Sequence, residues 1–166
     1  MHRWLFAVVA LLAACSAPAA PVPRAPLPFA PSTHTILTGA EALKFSHQCS
    51  RPSPGPVSAQ WMPTEADIQT LEPNLGVILR LHLAHAGETT AITDYYRQYA
   101  GFVMRGRRVI YVNGVARSAI EEANPNHPSD WRTQAVSICD GGPITFGIEF
   151  DPASGEFTRF AFNGAI

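Results

Sequence analysis

The chain has 166 residues and a net charge of −1, with no block of basic residues that could neutralise a nucleic-acid backbone. We therefore expect no nucleic-acid partner, and the hydrophobic fraction of 46% is enough for the core of one ordinary domain. The three cysteines leave one thiol over after any single disulfide, so one of them needs a separate explanation.

The N-terminus has the pattern of an export signal. One positive charge at Arg3 precedes an apolar run over residues 5–14, which is too short to cross a bilayer and has the length of a signal-peptide core. The run ends in Leu12-Ala13-Ala14-Cys15, which resembles the lipobox of bacterial lipoprotein precursors. The resemblance implies a signal peptide over residues 1–14, cleavage before Cys15 and lipidation of its thiol.

A lipidated Cys15 would anchor the protein in a membrane of the cell envelope with its domain in the periplasm. Ser16 follows the cysteine where an aspartate would, by the same resemblance, retain the protein at the inner membrane, so the outer membrane is favoured. The alternative is an ordinary signal peptide that is cut near residues 17–20, which would discard Cys15.

A proline-rich segment follows the lipidation site. Six prolines between residues 16 and 31 disfavour both helix and central strand and favour an extended polyproline conformation. We expect residues 15–35 to be the lipidated cysteine and a tether, and residues 36–166 to form a single domain.

The two remaining cysteines, Cys49 and Cys139, are predicted to form a disulfide that closes a loop of 90 residues (139 − 49). An exported protein meets an oxidising compartment, where such a bond persists. The alternatives, two free thiols or a metal pair, have less support because the sequence lacks a Cys-x-x-Cys motif and a suitable histidine spacing.

A helix is predicted to begin after Thr64, whose hydroxyl can cap the first turn, and to carry apolar residues at helical spacing as far as His82. Pro73 predicts a kink or a division into two helices. His82 and His85, with Glu88, are a conceivable metal site, but their spacing fits poorly. We therefore expect a partly buried and an exposed histidine, and no metal or cofactor.

The aromatic, β-prone segments 95–104 and 107–113 predict a hairpin around Gly106. A third strand is expected over residues 131–139, after a long loop over residues 116–130. The clearest hairpin is C-terminal: apolar residues alternate from 144 to 150, a turn follows, and a return strand begins at Phe157. We expect this hairpin to form the centre of the sheet.

A cluster of three arginines, Arg105, Arg107 and Arg108, surrounds the turn of the first hairpin. With Tyr99 and Tyr111 on the flanking strands, it is a candidate binding patch for an anionic sugar, a peptidoglycan stem peptide or a lipid headgroup. The expected partner is an envelope protein or peptidoglycan. The alternative is a solvated turn whose charges protect the edge of the sheet.

A second function class is a small periplasmic hydrolase. Its candidate catalytic groups are His127, Asp130, Asp140 and Glu149, although no spacing places a nucleophile beside them. We name no catalytic residue, because the sequence lacks a nucleophile-elbow motif, a phosphate loop and a dinucleotide fingerprint.

The order of predicted elements gives an α+β domain with one kinked or split helix packed on a four- to five-stranded antiparallel meander, cystatin-like or BLIP-like in general shape. The segments around residues 95–101, 107–113 and 139–151 resemble a group of small, uncharacterised exported proteins of proteobacteria. That resemblance implies a compartment and no mechanism. We expect a non-enzymatic binding module, for example an inhibitor or an assembly factor.

Overall fold

The computed structural model describes residues 33–123, 126 and 130–164. The predicted signal peptide, the lipidation site Cys15, most of the predicted tether and the candidate catalytic residue His127 lie outside the described residues. Within the described part of the chain, no helix is both long and apolar enough to cross a membrane.

The described chain forms an α+β domain. Its elements are β1 (His34–Ile36), α1 (Gly39–Leu43), β2 (Val57–Trp61), α2 (Glu65–His85), β3 (Tyr95–Met104), β4 (Arg107–Ala116), α3 (Arg117–Ala123), β5 (Thr145–Asp151) and β6 (Glu156–Phe162). The six strands form one mixed sheet in the order β1-β3-β4-β5-β6, with β2 also paired to β3.

The sheet differs from the predicted meander at its first edge. Strands β2 to β6 pair antiparallel in chain order, but β1 is parallel to β3. Since β3 is ten residues long, one of its edges accommodates both short strands: β1 lies beside residues 97–99 and β2 beside residues 101–104. The expectation of four or five exclusively antiparallel strands was therefore wrong, and β2 was not predicted.

The C-terminal hairpin forms as predicted, but it is not the centre of the sheet. Strand β5 lies between β4 and β6 and is buried along almost its whole length, whereas β6 is an edge strand with half-buried and exposed residues. The centre is β4, which pairs with β3 and β5 on its two sides.

Helix α2 is one continuous helix through Pro73, so the predicted division into two helices was wrong. Thr64 and Asp67 form a capping box at its start, since the Thr64 hydroxyl accepts from the Asp67 amide and the Asp67 carboxylate accepts from the Thr64 amide. Pro73 is exposed, so the backbone disruption that it causes faces solvent. The buried residues before and after Pro73 form one stripe that packs against the sheet, and this packing stabilises the helix on both sides of the proline: Ile68, Leu71, Leu75, Leu79 and Leu83.

The face of the sheet towards α2 is apolar. The helix stripe packs against Tyr95, Tyr99, Ile110, Val112, Phe146, Ile148 and Phe150. Phe157, Phe160 and Phe162 of β6 extend this core to the edge of the sheet. We call this side of the sheet the helix face.

The opposite face of the sheet, here called the clamped face, is covered by α1 and by two irregular segments, residues 47–56 and 130–141. The predicted strand 131–139 was wrong. Its backbone groups are bound by side chains of the sheet: Gln98 Nε2 donates to the carbonyl of Trp131, and Asn113 Nδ2 donates to that of Val136. The predicted loop 116–130 also differs, because its first part forms α3.

The predicted disulfide is present. The Sγ atoms of Cys49 and Cys139 lie at bonding distance, and their Cα atoms are 5.2 Å apart, within the usual range for a disulfide. Both residues are exposed, and each belongs to one of the two irregular segments. The bond therefore joins the two halves of the cover over the clamped face.

Candidate functional site

The turn between β3 and β4 places an arginine where the backbone favours glycine or asparagine. Arg105 and Gly106 have φ angles of 53° and 75°, the left-handed pair that a tight two-residue hairpin requires. A residue with a side chain in this region costs roughly 1–2 kcal/mol. Arg105 therefore occupies its position at the expense of stability.

The alternation along β4 separates the predicted arginine cluster. Arg107 points to the clamped face, where its Nη1 lies 3.1 Å from Asp151 Oδ2. Arg108 points to the helix face, where its guanidinium lies 5.2 Å from the centre of the Trp61 ring. Arg107 and Arg108 therefore lie on opposite faces, because neighbouring residues of a strand point to opposite sides of the sheet. The binding patch around this turn stays a prediction.

The two tyrosines assigned to the same patch are buried. Tyr99 is 0% exposed, and its hydroxyl donates to the Glu72 carboxylate, which also accepts from Arg97 Nε. Tyr111 is 2% exposed. Burial raises the pKa of both phenols. Neither ring is available to a ligand at the surface, so these two members of the predicted patch are structural.

A third arginine joins Arg105 and Arg107 on the clamped face. Arg159 of β6 has a φ of 58°, at a point where the pairing register with β5 shifts. Its Nε lies 3.4 Å from Glu149 Oε1. We call Arg105, Arg107 and Arg159 the arginine triad. Two of its members are the two non-glycine residues with positive φ in the described ranges.

One buried carboxylate, Glu149, lies in contact with Arg159 and within reach of the charges of Arg105 and Arg107. Glu149 is 8% exposed, and burial raises the pKa of its carboxyl, although the charges of Arg159, Arg105 and Arg107 all act to lower it. The cost of burial therefore outweighs three nearby guanidiniums. Glu149 is the one candidate of the hydrolase hypothesis that lies in this cluster.

A buried polar network lies next to the arginine triad. Arg51 is 8% exposed and donates from Nε to the Tyr111 hydroxyl (3.1 Å), from Nη1 to Asn163 Oδ1 (2.5 Å) and from Nη2 to Asn113 Oδ1. Gly147 makes room for this contact, since a Cβ there would lie 2.7 Å from Arg51 Nε. The network anchors segment 47–56 to the sheet, because each of the three guanidinium nitrogens of Arg51 donates a hydrogen bond to a residue of β4 or to Asn163.

Two other candidates for hydrolysis, Asp130 and Asp140, lie among the described residues, and Asp140 is not part of the cavity that Asp130 lines. This cavity of about 160 Å³ lies beside α3 and is lined by Asp130 and Gln134 together with Trp131 and apolar residues. A second cavity, of about 260 Å³, lies on the other side of α3 and is lined by Asp94, Arg117 and Glu121 among others. Asp140 is exposed beside Cys139.

The two histidines of α2 have other contacts. The His82 ring stacks on Phe160, with 3.8 Å between ring centres, and His85 Nδ1 lies 2.7 Å from the Leu81 carbonyl oxygen. Burial and the neighbouring His85 lower the pKa of His82. Across residues 33–123, 126 and 130–164, no three His, Cys, Asp or Glu side chains are grouped to hold a metal ion.

Arg159 was missed from the sequence although a signal for it exists. The apolar residues of the return strand are Phe157, Phe160 and Phe162, so the first two are three positions apart instead of two. A strand that keeps all three on one face must contain an extra residue between them. The register shift near Arg159 is that irregularity.

Comparisons with protein-family models, with curated proteins and with solved structures found no significant match.

The guanidinium groups of the arginine triad are suited to binding an anionic group. Guanidinium groups form paired, planar hydrogen bonds with carboxylates and phosphates. Arg107 has a side-chain exposure of 64% and Arg159 one of 39%, so both can be reached from solvent. The site is an open surface at one end of the sheet.

Proposed function

We propose that the protein is a lipid-anchored component of the bacterial cell envelope, attached through Cys15, whose periplasmic domain binds a partner and carries out no chemistry on it. The outer membrane is the favoured location. The arginine triad is the binding surface, and its partner is an envelope protein or a peptidoglycan component. The observation that carries the proposal is the convergence of Arg105, Arg107 and Arg159 around Glu149.

Export is supported by two independent features. The sequence Leu12-Ala13-Ala14-Cys15 has the pattern of a lipobox, and a disulfide closes the domain between Cys49 and Cys139. Disulfides persist in the periplasm and are rare in the cytosol. With Cys15 lipidated, all three cysteines are accounted for.

The cystatin-like shape is part of the same proposal. It is supported by the element order from β2 onwards: one strand, one long helix, then four strands, with the short helix α3 between β4 and β5. The five strands pair antiparallel in chain order. A fold of this kind does not fix the function, so the binding role rests on the site.

Metabolic labelling tests the anchor. The full-length chain, expressed in a bacterial host and fed an alkyne analogue of palmitate, should incorporate the label and fractionate with the membranes. Cys15→Ser should abolish both. Cys49→Ser, which leaves the lipobox intact, is the matched control and should keep the label. An unlabelled wild-type protein that is soluble after export would contradict the anchor.

A hydrolase remains the second candidate, and the raised pKa of Glu149 favours it because a buried carboxyl of this kind can act as a general acid. This reading predicts that purified protein cleaves a peptidoglycan or ester substrate and that Glu149→Gln removes the activity. Binding that survives Glu149→Gln, with no turnover by the wild type, would leave the binding module as the function.

A further inference from the structure

We propose that the arginine triad recognises carboxylates of an acidic segment in a partner protein, at the end of the sheet opposite to Thr33, where the described chain begins. This inference rests on the proposed function and deepens it by naming the chemical class of the partner. It begins from the backbone positions that the arginines occupy.

The left-handed backbone conformations of Arg105 and Arg159 cost free energy, and the contacts of the two side chains within the molecule offset little of that cost. Arg159 makes two long contacts, 3.4 Å to Glu149 Oε1 and 3.4 Å to the Ser53 carbonyl. Arg105 is exposed and has no ion pair or hydrogen bond among the described residues. Unfavourable backbone positions that are not offset by internal contacts are characteristic of binding sites.

The acidic residues at this end of the sheet do not prevent an anionic ligand from binding the arginine triad. The acids that face the arginine triad are Glu149 and Asp151, and Glu156 lies opposite Asp151 in the strand register. Arg107 has a side-chain exposure of 64% and one ion pair, with Asp151, which an incoming carboxylate can replace at little cost. Arg159 also contacts Glu149, which is buried, so its contribution is smaller. Glu156 is exposed and competes with such a ligand.

The position of the arginine triad favours a protein over the anchoring membrane. Strand β1 runs parallel to β3, so the described chain enters the sheet beside Arg97, whose Nη2 donates to Thr33 Oγ1 (2.8 Å). The β3–β4 turn follows Met104, seven residues further along β3, which is roughly 23 Å at the rise of a strand. The first described residue, Thr33, and the arginine triad are therefore at opposite ends of the sheet.

Peptide binding to the full-length chain, purified in detergent, tests the inference. The probe is a fluorescent hexaglutamate peptide with blocked ends, and the matched probe is hexaglutamine. We expect binding of hexaglutamate only, and about tenfold or greater weakening when Arg105, Arg107 and Arg159 are all changed to Gln. Arg80→Gln on α2, which removes an exposed arginine elsewhere, should leave the affinity unchanged.

Two further variants separate recognition from folding. Arg105→Asn creates an Asn-Gly turn, which the two-residue hairpin prefers, so it should bind hexaglutamate more weakly while its melting temperature is unchanged or higher. Glu156→Gln removes the competing carboxylate and should bind more tightly. A variant Arg105→Asn that binds as well as the wild type would overturn the role of Arg105.

Three outcomes would overturn the inference: equal binding of the two peptides, binding that is insensitive to the triple substitution, or preferential capture of vesicles that contain phosphatidylglycerol. The last would assign the arginine triad to a lipid headgroup. None of these results affects the labelling of Cys15, so the membrane anchor of the proposed function is tested separately.

Discussion

The two faces of the sheet are covered by different means. On the helix face, one helix buries five aliphatic side chains against aromatic and aliphatic residues of the strands. On the clamped face, a smaller apolar cluster around Phe45 and Phe102 is joined by a polar network and by a disulfide. Apolar packing on the helix face does not depend on the direction of any one contact. On the clamped face, each hydrogen bond and the disulfide need one particular partner group.

This difference shows why irregular backbone can cover a sheet. Buried amide and carbonyl groups need partners, and segment 130–141 has no neighbouring strand to supply them. Side chains of the sheet supply them instead: Gln98 binds Trp131, Gln134 and Val136, and Asn163 binds the Ile138 carbonyl. Stability on this face should therefore depend on a few specific groups.

Removal of the disulfide should give the largest loss. The double variant Cys49→Ser, Cys139→Ser opens a 90-residue loop, and loop closure of that length restricts the unfolded chain by about 4–5 kcal/mol. Urea unfolding of the oxidised wild type and the double variant measures the difference. A loss under about 1 kcal/mol would mean that the polar network alone secures the cover.

A cavity made in the core of the helix face should lower the free energy of unfolding somewhat less than removal of the disulfide does. Leu75 is fully buried, and Leu75→Ala is expected to lower the free energy of unfolding by about 3–4 kcal/mol. Leu81→Ala is the control on the same helix: Leu81 is 57% exposed, so its loss should stay within about 0.5 kcal/mol. Equal effects of the two substitutions would contradict the assignment of the buried stripe.

Loss of the buried guanidinium tests the clamped face without breaking the disulfide. Arg51→Met removes three hydrogen bonds from a charged donor and should cost about 2–3 kcal/mol, because Asn113 and Asn163 lose their partner. Arg80→Met, at an exposed position, should have an effect within about 0.5 kcal/mol. Protease cleavage within residues 47–56 should rise for Arg51→Met alone.

The smallest effect concerns pH. Burial raises the pKa of Glu149 in the folded state, so the folded protein holds this proton more tightly than the unfolded chain does. The stabilisation from protonation is present below the unfolded pKa and is lost as pH rises through the folded pKa. Glu149→Gln should therefore be more stable than the wild type at neutral pH, with the difference shrinking towards about pH 4. Unfolding free energies across that range provide the measurement, and a constant difference would contradict the shift.

The helix face could be predicted from the sequence because its signals are local. The spacing of Leu71, Leu75 and Leu79 and the cap at Thr64 mark the helix. Alternation marks the C-terminal hairpin, and β-prone segments on either side of Gly106 mark the first hairpin. The continuity of the helix at Pro73 could not be predicted, because it depends on packing of the flanking turns against the sheet, which is a tertiary effect.

The clamped face could not be predicted because its determinants are distant in the chain. Val136 and Ile138 have the alternation of a strand, yet the amides that bind their segment belong to Gln98, Asn113 and Asn163. For the candidate site, Arg105 and Arg107 were identified from the sequence. Arg159 lies beside them because of the register of β6. The burial of Tyr99 and Tyr111 depends on the face of the sheet to which each side chain points.

The contacts of Asn163 link the two ends of the disulfide. Its side chain accepts from Arg51, two residues after Cys49, and donates to the carbonyl of Ile138, the residue before Cys139. Asn163 follows the last strand of the sheet, so this bridge between the two cysteine-bearing segments exists only when β6 is docked. A chain whose C-terminal strand is displaced therefore keeps the covalent link but loses the noncovalent contact that positions its two ends.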